Sequence, residues 1–235
     1  MRLRALSAGL LILAAQAPRA WAQVGHDPAR SPYRTLRYGQ FIGISTGYFG
    51  GEGGQIGVAP HDGMITGLRY DFLAAGTLSL GLQGAYGTFD RLIVDKHKGP
   101  KTGVTGPVSQ SAAMVEAIIQ LNLTGGKSWH GIAPFVSGGL GLVLAGRTPS
   151  DTSGFKFRTK LSVAPAVGAR IFLSQRLFLK LEARSVFWQI SYPDVYRTPP
   201  RDFPTEAATI PGAGKEWTTS GWYSIGLSYA FHRPF

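Results

Sequence analysis

From residue 38 onward, large apolar side chains recur at every second position over a series of short stretches. In the stretch near the end of the chain, Tyr223, Ile225 and Leu227 alternate with Ser224 and Gly226. Successive side chains of a β-strand point to opposite faces, whereas an amphipathic helix repeats every 3.6 residues or so. The period therefore predicts strands that have one apolar face and one small or polar face.

Eight stretches carry this pattern, which predicts an all-β fold of eight antiparallel strands. Their apolar positions are Ile42, Ile44 and Tyr48; Met64, Leu68, Tyr70 and Phe72; Leu78, Leu80, Leu82 and Tyr86; Val115, Ala117, Ile119, Leu121 and Leu123; Val136, Leu140, Leu142 and Leu144; Val163, Val167, Ile171 and Leu173; Leu177, Leu179, Leu181 and Ala183; and Tyr223, Ile225, Leu227, Tyr229 and Phe231. Two features oppose the pattern. Pro165 removes a ladder hydrogen bond in the sixth stretch, and residues 114–121 also suit an amphipathic helix. The period shared by the neighbouring stretches favours strands throughout.

The composition supports β-structure and excludes several classes of protein. The chain has 32 glycines in 235 residues. A glycine costs about 1 kcal/mol relative to alanine inside a helix, so a helical bundle is disfavoured. The absence of cysteine excludes disulfides, thiolate metal sites and cysteine nucleophiles. A low charged fraction of 16%, with 11% aromatic residues, excludes a disordered chain despite the net charge of +11.

Residues 1–22 predict a secretory signal peptide. Arg2 and Arg4 precede a short apolar run, and residues 20–22 form a small-residue cleavage pattern. A transmembrane anchor is the alternative, but the run is too short to span about 30 Å of hydrocarbon. Residues 23–37 contain two prolines and no hydrophobic period, so they predict an extended tail that precedes the folded domain at 38–235.

The connections between the predicted strands alternate between long and short. In chain order they cover residues 50–62, 74–77, 90–109, 124–131, 145–160, 174–176 and 189–220. A soluble sandwich has no reason to alternate in this way, whereas a membrane barrel has short periplasmic turns and long external loops. We therefore expect residues 38–235 to form an eight-stranded antiparallel up-and-down transmembrane β-barrel.

The two faces of the strands must then meet different surroundings. A barrel of about eight strands has room inside only for side chains, and the large leucine and tyrosine residues would overfill it. We expect the apolar face to contact lipid and the small or ionic face to line the lumen, where an unpaired charge would cost several kcal/mol. The charged residues expected to form ion pairs across the lumen are Arg69, Asp71, Glu116, Arg170, Lys180, Glu182 and Arg184.

Aromatic residues cluster at the ends of the predicted strands. If the first strand runs outward, one end carries Tyr38, Tyr70, Phe72, Tyr229 and Phe231, and the other carries Tyr48, Tyr86, Phe187, Trp222 and Tyr223. The β-propensity of aromatic residues does not by itself predict clustering at strand ends. Aromatic belts at the two membrane interfaces do predict it.

The last predicted strand has a distinctive end. Ser224 is polar, Gly226 follows two positions later, and Tyr229 and Phe231 are spaced by two. This segment resembles the β-signal of bacterial outer-membrane proteins, with Phe235 as a second candidate for the terminal aromatic residue. Residues 38–231 as a whole resemble the small barrels of the outer membrane protein A, X and W type. The resemblance implies insertion into the bacterial outer membrane by the barrel-assembly machinery, and it implies no particular activity.

Signals for catalysis or metal binding are weak. The histidines at 26, 61, 97, 130 and 232 all fall in the predicted tail, loops, a turn or the terminus, and no pair has metal-ligand spacing. A deacylase-like Ser–His–acid site would need a serine and a histidine near the outer rim, and the chain has no His-x-Ser motif. We expect no catalytic residue, cofactor or metal.

The second long loop is basic. It contains Arg91, Lys96, Lys98 and Lys101, which predict contact with lipopolysaccharide phosphates, although an ordinary solvated loop has the same composition. The other basic residues are scattered, which argues against nucleic-acid binding. The expected partners are therefore outer-membrane lipids and lipopolysaccharide.

These features favour a monomeric barrel with a structural or cell-surface interaction role. Two alternatives stay open, a narrow channel or conduit for small apolar ligands, and a lipid A-modifying enzyme. The last connection, 189–220, contains four aromatic residues and five prolines and is long enough to cap the barrel.

Overall fold

The computed structural model describes residues 31–95, 97–98, 103–149, 151, 153–205, 207–210, 212 and 214–231. The predicted signal peptide, most of the predicted tail and Phe235 lie outside these ranges. The strands are β1 (Tyr33–Thr35), β2 (Gln40–Gly51), β3 (His61–Leu73), β4 (Leu78–Val94), β5 (Val104–Asn122), β6 (Lys127–Trp129), β7 (Ile132–Ala145), β8 (Lys160–Phe172), β9 (Leu177–Ser191) and β10 (Lys215–Phe231). A 3-10 helix covers Asp194–Arg197. Within the described ranges, no helix has the length and apolar character needed to cross a membrane.

The eight long strands close into a barrel. Each pairs antiparallel with its neighbours in the order β2–β3–β4–β5–β7–β8–β9–β10, and β10 pairs back with β2. The short strands β1 and β6 pair with each other beside this barrel. The predicted eight-stranded antiparallel up-and-down barrel is confirmed, and residues 114–121 lie within β5, so the helical alternative is wrong.

The two ends of the barrel differ in their connections. We call the end with connections 74–77, 123–131 and 173–176 the turn end, and the end with connections 52–60, 95–103, 146–159 and 192–214 the loop end. The second and last long loops are shorter than predicted. The β4–β5 ladder continues beyond a bulge near Arg91 as far as the pair of Val94 with Val104, and β10 begins at Lys215.

Pro165 interrupts one ladder of β8. The β7–β8 ladder runs without a break past the pair of Gly138 and Pro165. The β8–β9 ladder has no pair at residues 164 and 165, between the pairs formed by Val163 and Ala166. Proline has no backbone N–H, so hydrogen bonds to β9 are lost locally. The unbroken ladder with β7 keeps the strand in the barrel.

The side chains alternate between the outside and the lumen as predicted. On β9, Leu181 is 40% exposed while Lys180 and Glu182 are buried. The lumen also holds bulky aromatic residues that the sequence did not place there, namely Phe41, Phe49, Phe89, Phe135, Phe178, Trp188 and Trp222. The predicted belt position of Trp222 is wrong, because this residue is 2% exposed and has the same inward parity as Ser220 and Ser228.

Candidate functional site: the interior of the barrel

An ion-pair network crosses the middle of the lumen. Arg69 and Asp71 both point inward from β3, and their side chains pair at 2.8 Å between Nη2 and Oδ1. From the opposite wall, Glu182 on β9 accepts a hydrogen bond from Arg69 Nη1 at 3.0 Å. The network therefore joins two strands that are not neighbours in the sheet.

Glu182 is the most connected carboxylate of this network. It pairs with Lys180 at 3.0 Å between Nζ and Oε2, and also with Arg69 and Arg184. Arg184 in turn pairs with Glu116 on β5 and stacks over the ring of Trp222, with Cζ 4.7 Å from the ring centroid. Glu116 is 1% exposed. The cations and carboxylates thus neutralise one another where water is excluded.

Amide side chains extend the network along the barrel wall. Gln120 on β5 accepts a hydrogen bond from Arg69 and donates one to Asn122, which donates to Ser79 Oγ at 3.0 Å. Gln83 on β4 accepts from Arg184 at 3.1 Å. These amides satisfy guanidinium donors that the carboxylates leave unpaired, as buried polar groups require.

Above the ion pairs, toward the loop end, the lumen is filled by aromatic rings. Phe49 stacks on Trp188 with ring centroids 5.5 Å apart, and Phe89 meets the same phenylalanine edge-on at 5.1 Å. Phe157, from connection 146–159, packs edge-on against Trp188 at 5.6 Å. Residues 153–157 alternate buried and exposed, so this connection inserts into the barrel mouth in the manner of a strand.

Connections 146–159 and 192–214 make further contacts that close the same end. Arg91 pairs with Asp151 of connection 146–159, and its guanidinium lies over the ring of Phe155, 5.4 Å from the centroid. Tyr196, in the 3-10 helix, is fully buried and donates a hydrogen bond to Val94 O at 2.9 Å. The last connection therefore covers the barrel mouth.

Connection 52–60 is fastened to β10 through one carboxylate. Glu216 accepts hydrogen bonds from the backbone N–H of Gln55, at 2.8 Å, and from the hydroxyl of Tyr192. Burial, with the hydrogen bond to Glu216, raises the pKa of the Tyr192 hydroxyl above its ordinary value. Gly54 adopts φ +85° here, and a Cβ at this position would lie 2.4 Å from the tyrosine hydroxyl oxygen. The positive φ favours glycine here, and a Cβ would in addition displace the Tyr192 hydroxyl.

Below the ion pairs, toward the turn end, Arg170 is surrounded by aromatic rings. Its Cζ lies 4.7 Å from the ring centroid of Phe41, 5.7 Å from that of Phe178 and 6.0 Å from that of Phe135. The guanidinium nitrogens have no hydrogen-bond partner among the described residues. Of the seven predicted ion-pair residues, the structure thus joins six in one network and places Arg170 apart from them, in cation–π contacts.

Little free space is left between these layers. The cavity beside the ion pairs, lined by Arg69, Asp71, Lys180 and Glu182 among others, has a volume of about 20 Å³. That volume holds about one water molecule. A cavity of this size is too small to form a continuous aqueous path at this level of the lumen.

The predicted surface residues of the second long loop fall in different environments. Arg91 is 1% exposed and points into the lumen, because β4 continues past it, so its predicted place in an external loop is wrong. Lys98 is exposed in connection 95–103. Lys96 and Lys101 lie outside the described residues.

His61 also differs from its predicted place in a loop. It is the first residue of β3, and its Nδ1 lies 3.0 Å from Ala59 O. Among the residues that the structure describes, no group of three or more histidine, aspartate or glutamate side chains is arranged to hold a metal ion.

This closed barrel has an apolar outside and a filled lumen. These features define the class of small eight-stranded transmembrane β-barrel proteins. No protein-family model matches the chain, and no curated protein matches it. Solved structures do match. The outer membrane protein OprG of Pseudomonas aeruginosa aligns with 85% of this chain and 99% of its own, at 15% identity and a TM-score of 0.50.

Two other solved barrels align over a similar extent. The N-terminal β-barrel domain of Pseudomonas aeruginosa OprF has 11% identity and a TM-score of 0.46, over 84% of this chain and 100% of its own. Neisserial surface protein A has 13% identity and a TM-score of 0.47, over 86% and 98%. At such identities the likeness to OprG supports the fold of a small outer-membrane barrel, and it leaves the activity open.

Proposed function

We propose that this chain is an outer-membrane β-barrel with a sealed lumen, whose role is structural or in cell-surface interaction. The observation that carries the proposal is the filling of the interior by successive layers of aromatic rings, ion pairs and a stacked arginine. A channel needs a wetted path, and side chains occupy the lumen of this barrel. A catalytic role is not part of the proposal.

The orientation follows from the two ends. We infer that the turn end faces the periplasm and the loop end faces outward, as in other outer-membrane barrels. Tyr229 and Phe231 project outward from β10 near the turn end, where they are 39% and 38% exposed. With Ser224 and Gly226 on the same strand, they remain the proposed assembly signal for the barrel-assembly machinery, with Phe235 as the second candidate for its last position.

Conductance in planar bilayers tests the sealed lumen. The purified full chain, inserted into a planar bilayer and compared with a porin in the same bilayer, is expected to give no discrete current steps. Folding is checked in parallel by the shift in gel mobility on heating. Reproducible single-channel steps from the folded form would overturn the proposal in favour of the narrow-channel alternative.

The proposed outer partner is lipopolysaccharide. Lys98 is exposed at the loop end, and Lys96 and Lys101 flank it in the sequence. Exchanging these three lysines for glutamine is expected to weaken binding to lipid A vesicles, because each lysine near an anionic surface contributes about 1 kcal/mol. The matched control exchanges Arg147, Arg201 and Lys215 for glutamine, three exposed basic residues elsewhere at the loop end. Equal binding by both variants would contradict this contact.

A further inference from the structure

The turn end of the barrel contains a vestibule with a volume of about 710 Å³. One side is formed by residues 34–38, between the start of β1 and the start of β2, and the other by the β8–β9 turn. Phe41 and Phe172, from the inner wall, line its inner part. The segment is held in place by the β1–β6 pairing and by a hydrogen bond from Leu36 N to Gly126 O at 2.8 Å.

The rim of this vestibule is basic. Arg34 and Arg37 line it, and no carboxylate of the described residues lies within salt-bridge distance of either. Lys127 and Arg176 lie in the adjacent turns. Residues 31–40, 74–77, 123–131 and 173–176 contain no aspartate or glutamate, whereas the loop end mixes both signs of charge. The turn end therefore presents a purely positive surface along the described parts of the chain.

A buried cation lies behind the aromatic lining. Arg170 is 1% exposed, none of its guanidinium nitrogens has a hydrogen-bond partner among the described residues, and it stacks over Phe41, which lines the vestibule. The lumen cluster contains four basic residues and three carboxylates, Arg170 being the member outside the ion-pair network. This uncompensated charge adds to the positive potential of the vestibule.

The lining is amphipathic and lies at the level of a membrane interface. Leu36 and Leu173 stand beside Arg34 and Arg37, with the hydroxyl groups of Ser128 and Ser174 nearby. Tyr70, Phe72 and Tyr229 project outward at the same end of the barrel. A soluble anion would use the basic groups alone, whereas a lipid headgroup would use the apolar residues as well.

We propose that the vestibule binds the phosphate headgroup of an anionic phospholipid from the periplasmic leaflet. Arg34 and Arg37 contact the phosphate, for which the planar guanidinium is well suited. Leu36, Leu173 and Phe172 contact the glycerol and the first methylene groups. This inference depends on the proposed function in one respect, namely that the barrel spans a bilayer.

Retention of lipid on the folded chain tests this site. The full chain is reconstituted into bilayers of equal parts phosphatidylcholine and phosphatidylglycerol, extracted in mild detergent, and its bound lipids are counted by native mass spectrometry. We expect selective retention of phosphatidylglycerol. The R34Q/R37Q variant should lose this selectivity by about fivefold for each arginine removed.

A charge-matched variant serves as the control. R147Q/R201Q removes two exposed arginines at the loop end and is expected to retain phosphatidylglycerol as the unaltered chain does. Heat-modifiable gel mobility verifies that both variants fold. Equal selectivity in R34Q/R37Q and in the unaltered chain would overturn the proposal.

Soluble anions distinguish the source of the phosphate. Inorganic phosphate and glycerol phosphate, each at millimolar concentration, are expected to leave the bound phosphatidylglycerol in place. If they bind with the same dependence on Arg34 and Arg37 and no lipid is retained, the lipid assignment is wrong. Current steps in the bilayer assay would overturn the sealed lumen without affecting this result, so the two failures are distinguishable.

Discussion

At the scale of single residues, neighbouring positions of one strand meet opposite surroundings. Along β9, Leu179 and Leu181 point outward while Lys180, Glu182 and Arg184 point into the lumen. The sequence predicts this alternation because its period is the period of the strand itself. It does not predict that Arg170 stays outside the ion-pair network, since this depends on which strands face each other across the lumen.

Glu182 is the residue on which the ion-pair network most depends. Exchanging Glu182 for glutamine removes a carboxylate shared by Arg69, Lys180 and Arg184. Breaking a buried pair costs about 3–5 kcal/mol, because the partner charge is left uncompensated. Urea unfolding in lipid vesicles, followed by tryptophan fluorescence, should show a loss of this size in the free energy of unfolding.

The exposed pair of Asp194 and Arg197 provides the control for this substitution. Their side chains are 94% and 48% exposed, so exchanging Asp194 for asparagine should change the free energy of unfolding by less than about 0.5 kcal/mol. A loss at Glu182 as small as that at Asp194 would mean that the lumen is hydrated and the network is screened.

The outward position of Leu181 leads to a depth-dependent prediction. Exchanging Leu181 for arginine should cost about 2–4 kcal/mol, since an arginine near the bilayer midplane must leave water. Exchanging Leu173 for arginine, in the turn after β8, should cost about 0–1 kcal/mol, because the interface is close. The same unfolding assay measures both, and a neutral effect at Leu181 would mean that this face does not contact lipid.

At the scale of elements, the sequence locates the strand centres better than the strand ends. The apolar alternation stops before Arg91 and begins after His61, so the sequence predicts both in loops, yet β4 and β3 include them. Pairing in the β4–β5 and β3–β4 ladders extends these strands beyond the apolar band. In connection 146–159, Phe155 and Phe157 alternate with Lys156 and Arg158, a pattern typical of a strand.

That connection is held in the barrel mouth by its two phenylalanines. Exchanging both Phe155 and Phe157 for alanine removes the contacts with Arg91 and Trp188, so the connection should detach from the lumen. Trypsin should then cleave after Lys156 or Arg158 faster than in the unaltered chain, as mass spectrometry of a digestion time course would show. Exchanging the exposed Phe203 for alanine should leave cleavage at these sites unchanged. Equal rates in the two variants would contradict the anchoring role.

At the scale of the whole molecule, closure and filling determine what the barrel can do. Pairing of β10 with β2 leaves no free edge among the long strands, and aromatic rings and ion pairs fill the lumen. The short turns and the outward leucines predicted the closure. The aromatic filling was not predicted, because aromatic residues suit both a membrane belt and a lumen, and only the register decides between them for Trp222.

The assignment of the two faces is tested most directly with single cysteines, because the natural chain contains none. Cysteines replacing Leu179, Leu181 or Ala183, and cysteines replacing the inward Ser162, Ala164 or Ser220, are spin-labelled in folded protein in lipid vesicles. The structure predicts that labels at the first three positions collide with membrane-dissolved oxygen. Labels at the other three should be shielded from both oxygen and a water-soluble nickel chelate. Oxygen contact at the second set, or chelate contact along β9, would contradict a sealed barrel with its apolar face in the lipid.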